Sequence, residues 1–256
     1  MKKSIFLSFI LCLCLIACIP QQAMAQKQSR MEKLLRYLND NDADKWQKNR
    51  EKLDDETKAY YAEDLSLMDV LNDLWNGQSE QAATLYFGCY EKAAQSNFSG
   101  ICEGEKIPLS QIRDKADQSI INLLEASKDK IPFSRALLDS IHATEYPVDS
   151  AMLQRLQNIR EVALLEGMLK TPTPIIYQTY VKEYPNGKFI AQVNASENVR
   201  LYQLVKTAPT PANFKAFFED PEMQKYYQDR GPRPYLAEVR TLYDDFLFQR
   251  IDSLKK

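Results

Sequence analysis

The chain has 256 residues, with 33 lysines and arginines against 35 aspartates and glutamates, so its net charge is −2 when histidine is neutral. A mildly acidic chain without a basic run has no electrostatic reason to bind nucleic acid. We therefore expect no nucleic-acid partner. The length allows one elongated domain or two small ones.

The first 25 residues predict a secretory signal peptide. Two lysines precede an apolar run from Ile5 to Ile19, and the segment Ala23-Met24-Ala25 supplies small residues before a cleavage site. The apolar run is short for a membrane-spanning helix, and no later stretch is long enough. We expect an exported mature chain, periplasmic or extracellular, with no transmembrane segment.

A second pattern in the same segment predicts a different cellular location. Leu15-Ile16-Ala17-Cys18 matches a lipobox, in which cleavage before Cys18 leaves a thiol that is acylated and anchors the protein to a membrane. Pro20 favours simple cleavage after Ala25 because it ends the signal helix before that bond. Both patterns are short, so a lipoprotein anchored to the outer membrane through Cys18 is the alternative.

Two cysteines, Cys89 and Cys102, lie beyond the export segment. An isolated pair in an oxidising compartment predicts a disulfide, which would close a loop of about 14 residues and contribute about 3 kcal/mol by the loop-entropy model. Two buried free thiols are the alternative, because connectivity cannot be read from sequence.

Apolar residues recur at helical spacing along the rest of the chain, and few glycines interrupt them. One series stops before Gly77, and the next follows a Ser79 cap. Later series follow Pro108 and Pro147, and a last one follows the rigid turn Arg230–Pro234. We expect an all-α fold of roughly ten helices. We divide it into an N-terminal helical region, residues 26–130, and a C-terminal helical-hairpin repeat region, residues 131–256.

An internal repeat marks the C-terminal region. Thr171-Pro172-Thr173-Pro174 and Ala208-Pro209-Thr210-Pro211 stand 37 residues apart, and in each the threonine before the last proline, Thr173 or Thr210, can cap a helix whose first residue is proline. Pro185 or Pro221 then ends the short helix. A period near this length indicates stacked αα-hairpins. The aromatic residues that follow the two caps are equivalent: Tyr177 and Tyr180, then Phe214 and Phe217.

The first copy resembles a tetratricopeptide repeat. Tyr177-x2-Tyr180-x4-Pro185, with Asn186-Gly187-Lys188 following, is similar to the second helix and closing proline of that repeat in exported bacterial envelope proteins. Gly77-x4-Ala82-x3-Tyr86-x2-Cys89 is similar to the interhelix turn and packing positions of another repeat. The resemblance implies an irregular array of tetratricopeptide-like hairpins. It also implies a scaffold that receives a peptide or helix of a partner protein in a concave groove.

Few residues suggest catalysis or a metal. Segment 40–51 matches four positions of a calcium-binding EF-hand loop, but Lys45 replaces its turn glycine. A polar turn in which Asp42 or Asp44 caps a helix is the simpler interpretation. His142, the single histidine, has no partner at a spacing that faces it on a helix. We predict no catalytic residue, metal ligand or cofactor.

The aromatic residues carry the candidate binding sites. Tyr184, Tyr226 and Tyr227 stand at the edges of the predicted hairpins, and tyrosine is favoured at interfaces and can stack on sugars. Aromatic residues at helical spacing, such as Tyr177 and Phe214, are usually core residues. We therefore take the three edge tyrosines as the candidate partner-binding residues.

These patterns favour an exported, non-catalytic scaffold that binds an envelope protein or peptide. A glycan-binding envelope module is the alternative, and a hydrolase that uses two carboxylates about 5–10 Å apart is a more distant one. A concave groove lined by tyrosine and asparagine would favour peptide binding, and an exposed flat aromatic platform would favour a glycan. A deep pocket with two facing acids would favour hydrolysis.

The export hypothesis makes a direct prediction about the N-terminus of the protein isolated from cells. We expect an intact mass that corresponds to a chain beginning at Gln26, because the peptidase removes the apolar run. A lipid-modified N-terminal Cys18 would instead identify the lipoprotein. A cytoplasmic chain that keeps Met1 would contradict both forms of the hypothesis.

Overall fold

The computed structural model describes residues 23–254. Residues 1–22, with Cys18 and most of the predicted signal peptide, lie outside the described part, as do residues 255–256. Every regular element within the described part is a helix, which confirms the predicted all-α class. The helices are α1 (residues 23–39), α2 (Ala43–Glu51), α3 (Asp55–Tyr60), α4 (Ala62–Trp75), α5 (Glu80–Ala94), α6 (Phe98–Glu105), α7 (Leu109–Ala126), α8 (Lys130–His142), α9 (Ser150–Lys170), α10 (Pro174–Glu183), α11 (Ile190–Thr207), α12 (Pro211–Phe218), α13 (Pro221–Tyr227) and α14 (Leu236–Leu254).

Side-chain caps fix the start of many of these helices. At an N-cap, a side-chain oxygen accepts a hydrogen bond from a backbone N–H of the first turn that has no partner within the helix. Ser79 does so for α5, and Asp42 does so for α2, where it accepts from the Lys45 N–H. Asp42 is therefore the helix cap that the sequence favoured over a calcium ligand. The same role is filled by Asp54, Thr173, Thr210 and Asp220.

The predicted end of α4 is also confirmed. The helix ends at Trp75, and Gly77 follows its C-cap. A Cβ atom at position 77 would lie 2.8 Å from the carbonyl oxygen of Asp73, which is closer than side chains approach a backbone oxygen. Only glycine therefore allows the chain to turn here towards the Ser79 cap of α5.

The chain divides into two units, the first ending at Leu156 and the second beginning at Gln157. The sequence placed this division between residues 130 and 131 instead. In the first unit α8, which begins at that position, packs against α5 and α7. The ring of Tyr146, just beyond α8, lies 4.9–5.6 Å from the rings of Tyr86, Phe87 and Tyr90 on α5. This aromatic cluster belongs to the core around the α4–α5 pair.

The second unit is arranged around α11. This helix contacts α10, α12, α13 and α14, and its inner positions Val193, Leu201 and Val205 are buried. Glu161 on α9 and Asn198 on α11 are polar and also buried. Because buried polar groups must be hydrogen-bonded, these positions need partners within the unit.

The two copies of the 37-residue repeat have equivalent local structure. Thr173 and Thr210 are both extended, with φ near −129° and −126°, and both cap a helix that begins with proline. Pro221 differs from the prediction, because it begins α13 after the Asp220 cap. The aromatic residues equivalent in the two copies are all buried core residues: Tyr177, Tyr180, Phe214 and Phe217.

The hydroxyl of Tyr180 gives a stability prediction. It donates a 2.7 Å hydrogen bond to the buried carboxylate of Glu161, so Tyr180→Phe leaves that carboxylate without this donor. We expect the free energy of unfolding to fall by about 1–3 kcal/mol, measured by chemical denaturation.

Tyr243→Phe is the matched control. The Tyr243 hydroxyl on α14 makes no hydrogen bond within the described part of the chain, so its removal should change stability by less than about 0.5 kcal/mol. Equal effects of the two substitutions would contradict a structural role for the Tyr180 hydroxyl.

Candidate functional site

An open groove in the second unit is the candidate functional site. It has a volume of about 680 Å³, within the range of ligand sites, and one wall is the loop after α10 while the other is α13 with the turn that follows it. We call it the α13 groove. Its lining residues are Val181, Pro185, Asn186, Ile190, Asn194, Glu222, Lys225, Tyr226, Gln228, Asp229 and Arg230.

Hydrogen bonds to the core hold the loop after α10 in place. α10 ends before Pro185, which cannot continue a helix, and the backbone N–H of Gly187 then donates to the Tyr184 carbonyl at 2.9 Å. The Tyr180 hydroxyl donates to Glu161 and accepts from the backbone N–H of Phe189 at 3.1 Å. These bonds tie the loop to the core, so the groove has one preformed wall.

Gly187 is needed for this arrangement. A Cβ atom at this position would lie 2.5 Å from Glu161 Oε1 and 2.6 Å from the Tyr180 hydroxyl oxygen. The loop can therefore approach the buried hydrogen bond only with glycine here. The Asn186-Gly187 pair places the Asn186 side chain, exposed to solvent, at the rim of the groove.

The opposite wall is a short helix anchored by one apolar residue. The Asp220 carboxylate accepts from the Met223 N–H at 2.8 Å and starts α13, and the Met223 side chain is fully buried. Residues three or four apart on a helix share a face. Glu222, Lys225 and Tyr226 accordingly line the groove together.

Tyr226 is held by Arg230. The guanidinium carbon of Arg230 lies 4.5 Å from the centre of the Tyr226 ring, and Nη1 donates to the Tyr226 carbonyl at 2.9 Å. A cation over an aromatic face is attractive, so the ring has a preferred position. Tyr227 packs edge to face on Tyr226, with ring centres 5.0 Å apart, and burial raises the pKa of its phenol.

The floor of the groove is a buried polar side chain, Asn194, that is already hydrogen-bonded within the protein. Asn194 is buried, its side-chain amide donates to the Ile190 carbonyl at 2.8 Å, and its side-chain oxygen accepts from the Tyr177 hydroxyl at 3.0 Å. Burial raises the pKa of Tyr177 well above its usual range. The floor is therefore built into the core, and the exposed polar groups of the walls are the ones available to a ligand.

The structure separates the three predicted partner-binding tyrosines. Tyr226 lines the groove, and Tyr227 is half-buried beside it. Tyr184 is half-buried and does not line the groove, because its hydroxyl donates to the Gln157 carbonyl at 3.1 Å. Burial raises the pKa of Tyr184 to about 12. Tyr184 therefore secures the end of α10 to α9.

The predicted disulfide is not formed. Cys89 and Cys102 are both free thiols. Cys89 faces α4, where its sulfur lies 3.5 Å from the Ser66 hydroxyl oxygen. Cys102 is buried in α6, and burial raises the pKa of its thiol to about 12. The packing of the helices thus directs the thiols towards different neighbours, which sequence spacing alone does not reveal.

The most perturbed carboxyl lies in the first unit. Burial raises the pKa of Asp117 to about 6, although the Tyr146 hydroxyl donates to it at 2.6 Å. Asp114 and Asp149 line the same cavity of about 260 Å³, and Arg155 at its edge is paired with Glu125. The hydrogen bond to Tyr146 connects Asp117 to the aromatic cluster of the core, so its burial has a structural explanation.

Three further observations concern the described residues. His142 is exposed at the end of α8. Among the described residues, no three histidine, cysteine, aspartate or glutamate side chains are placed to hold a metal ion together. Between residues 23 and 254, no helix has both the length and the apolar character needed to cross a membrane.

Comparisons with known proteins give no relative for this chain: no protein-family model, curated protein or solved structure matches it. Over residues 23–254 the structure defines an all-helical protein, in whose second unit two helices each begin with a proline that follows a threonine cap.

Sequence reasoning missed the buried polar residues that support the groove. Arg160 and Glu161 on α9 are buried, as are Glu197 and Asn198 on α11. A signal was present, since the second pair follows the first by 37 residues, the same period as the threonine caps. Charged residues at helical spacing are usually taken as a solvated face, which hides such a signal.

The two thiols should differ in reactivity. The thiolate is the reactive form of cysteine, and Cys102 has both a raised pKa and almost no exposed surface. We expect iodoacetamide at about pH 8 to modify Cys89 in the folded protein and Cys102 only after unfolding, as measured by peptide mass mapping. A Cys89–Cys102 cross-linked peptide from unreduced protein would contradict the free thiols.

Proposed function

We propose that this chain is an exported, non-catalytic scaffold of tetratricopeptide-like hairpins in the cell envelope, and that its α13 groove binds an extended segment of a partner protein. The observation that carries the proposal is a concave groove lined by Tyr226 and the exposed Asn186, with charges of both signs at its rim. Tyrosine and asparagine offer contact area and hydrogen bonds at small entropic cost.

The chemistry of the groove suits a peptide. Glu222 and Asp229 can accept from backbone N–H groups, whereas Lys225 and Arg230 can donate to carbonyl oxygens. A mixed rim also selects partners by charge pattern and speeds encounter. The fixed loop wall lowers the ordering cost of binding, because a preformed site loses less conformational freedom.

The other parts of the proposal rest on the sequence and the repeat. Export is supported by the lysines and apolar run before Ala23-Met24-Ala25. The scaffold class is supported by two helices with equivalent caps and equivalent buried aromatic residues, since stacked hairpins commonly present a curved binding surface. Anchoring through Cys18 is the alternative form of attachment.

A glycan-binding function is the second candidate, and a specific pair of residues supports it. Tyr235 stacks on Tyr202 with ring centres 4.4 Å apart and an interplanar angle of 12°, and Tyr235 is 40% exposed. An exposed tyrosine face of this kind can stack on a sugar ring. The Tyr226 face is less suitable because Arg230 lies over it.

Crosslinking in intact cells tests the proposal. A photo-crosslinking residue at Gln228, which is exposed at the groove, should capture a partner protein. Tyr226→Ala and Lys225→Glu should each lower the yield of that adduct about tenfold, because loss of one central contact commonly costs about 1–2 kcal/mol.

Lys182→Glu is the matched control, since Lys182 is exposed on α10 and does not line the groove. It should leave the adduct unchanged, and all variants should keep the wild-type melting temperature. Groove variants that retain every wild-type partner would remove the proposal. Loss of binding to isolated envelope polysaccharide in Tyr235→Ala, with the protein adduct intact, would support the glycan function instead.

A further inference from the structure

The segment between α8 and α9, residues 143–149, is held to the first unit through Tyr146. Its ring is buried in the aromatic cluster beside α5, and its hydroxyl donates a 2.6 Å hydrogen bond to the Asp117 carboxylate on α7. The Asp117 charge also acts on Tyr86 and Tyr90, but burial raises the pKa of all three phenols, so they stay neutral. A change in the charge of Asp117 therefore acts directly on the anchor of this segment.

Few groups favour the ionised form of Asp117. This carboxyl is half-buried, and its hydrogen bond comes from the neutral Tyr146 hydroxyl. Arg113 on the same helix supplies an attractive charge, but its Nε lies 3.8 Å from Asp114 Oδ1. Arg155 lines the same cavity and is paired with another carboxylate. Within the described part of the chain, Asp117 makes no ion pair.

Like charges face Asp117 from two elements. Asp114 comes from α7 and Asp149 directly precedes α9, and both line the cavity of about 260 Å³ that Asp117 also lines. Burial raises the pKa of Asp117 most, and the charges of Asp114 and Asp149 raise it further. The Tyr146 hydrogen bond and the Arg113 charge lower it, and the resulting pKa is about 6.

This pKa makes the contribution of Asp117 to stability depend on pH. An aspartate in an unfolded chain has a pKa of about 3.9, so the folded state binds the proton more tightly. The resulting stabilisation is complete below the unfolded value and is lost as the pH rises through about 6. From about pH 7 to about pH 5, the equilibrium constant for an opening that exposes Asp117 should therefore fall about tenfold.

We propose that Asp117 and Tyr146 form a proton-operated latch that closes residues 143–149 onto α7 in mild acid and releases them more often towards neutral pH. A neutral Asp117 still accepts the Tyr146 hydrogen bond through its carbonyl oxygen and no longer repels Asp149. An ionised Asp117 keeps its charge in a half-buried site, and opening of the segment moves Asp149 away and admits water. The latch shares no residue with the α13 groove and does not depend on the proposed binding function.

Hydrogen exchange of residues 143–149, measured by mass spectrometry on the full chain, tests the latch. The ratio of the wild-type exchange rate to that of Asp117→Asn cancels the intrinsic pH dependence of exchange and the titration of all other groups. We expect this ratio to rise about tenfold from about pH 5 to about pH 7. Asp44→Asn is the matched control, since Asp44 is exposed on α2, and its ratio should not change with pH. A constant ratio for Asp117→Asn would overturn the proposal.

Two further variants test the coupling while keeping Asp117. Carbon-13 NMR of the wild-type carboxyl groups should give Asp117 a titration midpoint of about 6. Asp149→Asn removes a repelling charge and should lower this midpoint, whereas Tyr146→Phe removes a hydrogen bond to the ionised form and should raise it. Asp149 is exposed, so its variant remains informative if a substitution in the core prevents folding. A wild-type midpoint of about 3.9, or one that neither variant moves, would contradict the latch.

Discussion

The second unit depends on two hydrogen bonds made by one side chain of α10, the phenol of Tyr180. The Tyr180 hydroxyl donates to the Glu161 carboxylate and accepts from the Phe189 N–H, so one phenol joins α9, α10 and the loop. In a region of low dielectric such a bond is strong when complete, and its loss leaves a costly unpaired group. The position of the loop, and with it one wall of the α13 groove, follows from this constraint.

In the second copy of the repeat, different side chains make the contacts that Tyr180 makes in the first copy. Phe217 stands where the first copy has Tyr180 and has no hydroxyl. The Arg233 guanidinium carbon lies 3.9 Å from the Phe217 ring centre, and Arg233 Nε donates to the Asn198 side-chain oxygen at 2.6 Å. The Asn198 amide also donates to the Pro234 carbonyl at 3.2 Å. A side chain from the turn before α14 thus replaces the missing hydroxyl.

The parts of this structure that the sequence predicted are those fixed by local chemistry. The caps at Thr173 and Thr210 need only a hydroxyl, an extended residue and a following proline, all of which lie within four positions. The α13 groove could be predicted only in part. Tyr226, predicted as a partner-binding residue, lines the groove, but whether Tyr184 is available depends on the Gln157 carbonyl, 27 residues away. The predicted disulfide between Cys89 and Cys102 was wrong for the same reason, because the packing of the helices directs the two thiols towards different neighbours.

The break in the repeat explains why the groove lies where it does. α10 and α12 begin 37 residues apart, at Pro174 and Pro211, but α11 and α14 begin 46 residues apart, at Ile190 and Leu236. The additional residues form α13 and the turn after it. Met223 anchors this insertion in the core, while Glu222, Lys225 and Tyr226 line the groove beside the loop of the first copy. The regular part of the repeat therefore supplies a rigid support, and the irregular part supplies the side chains that a partner can contact.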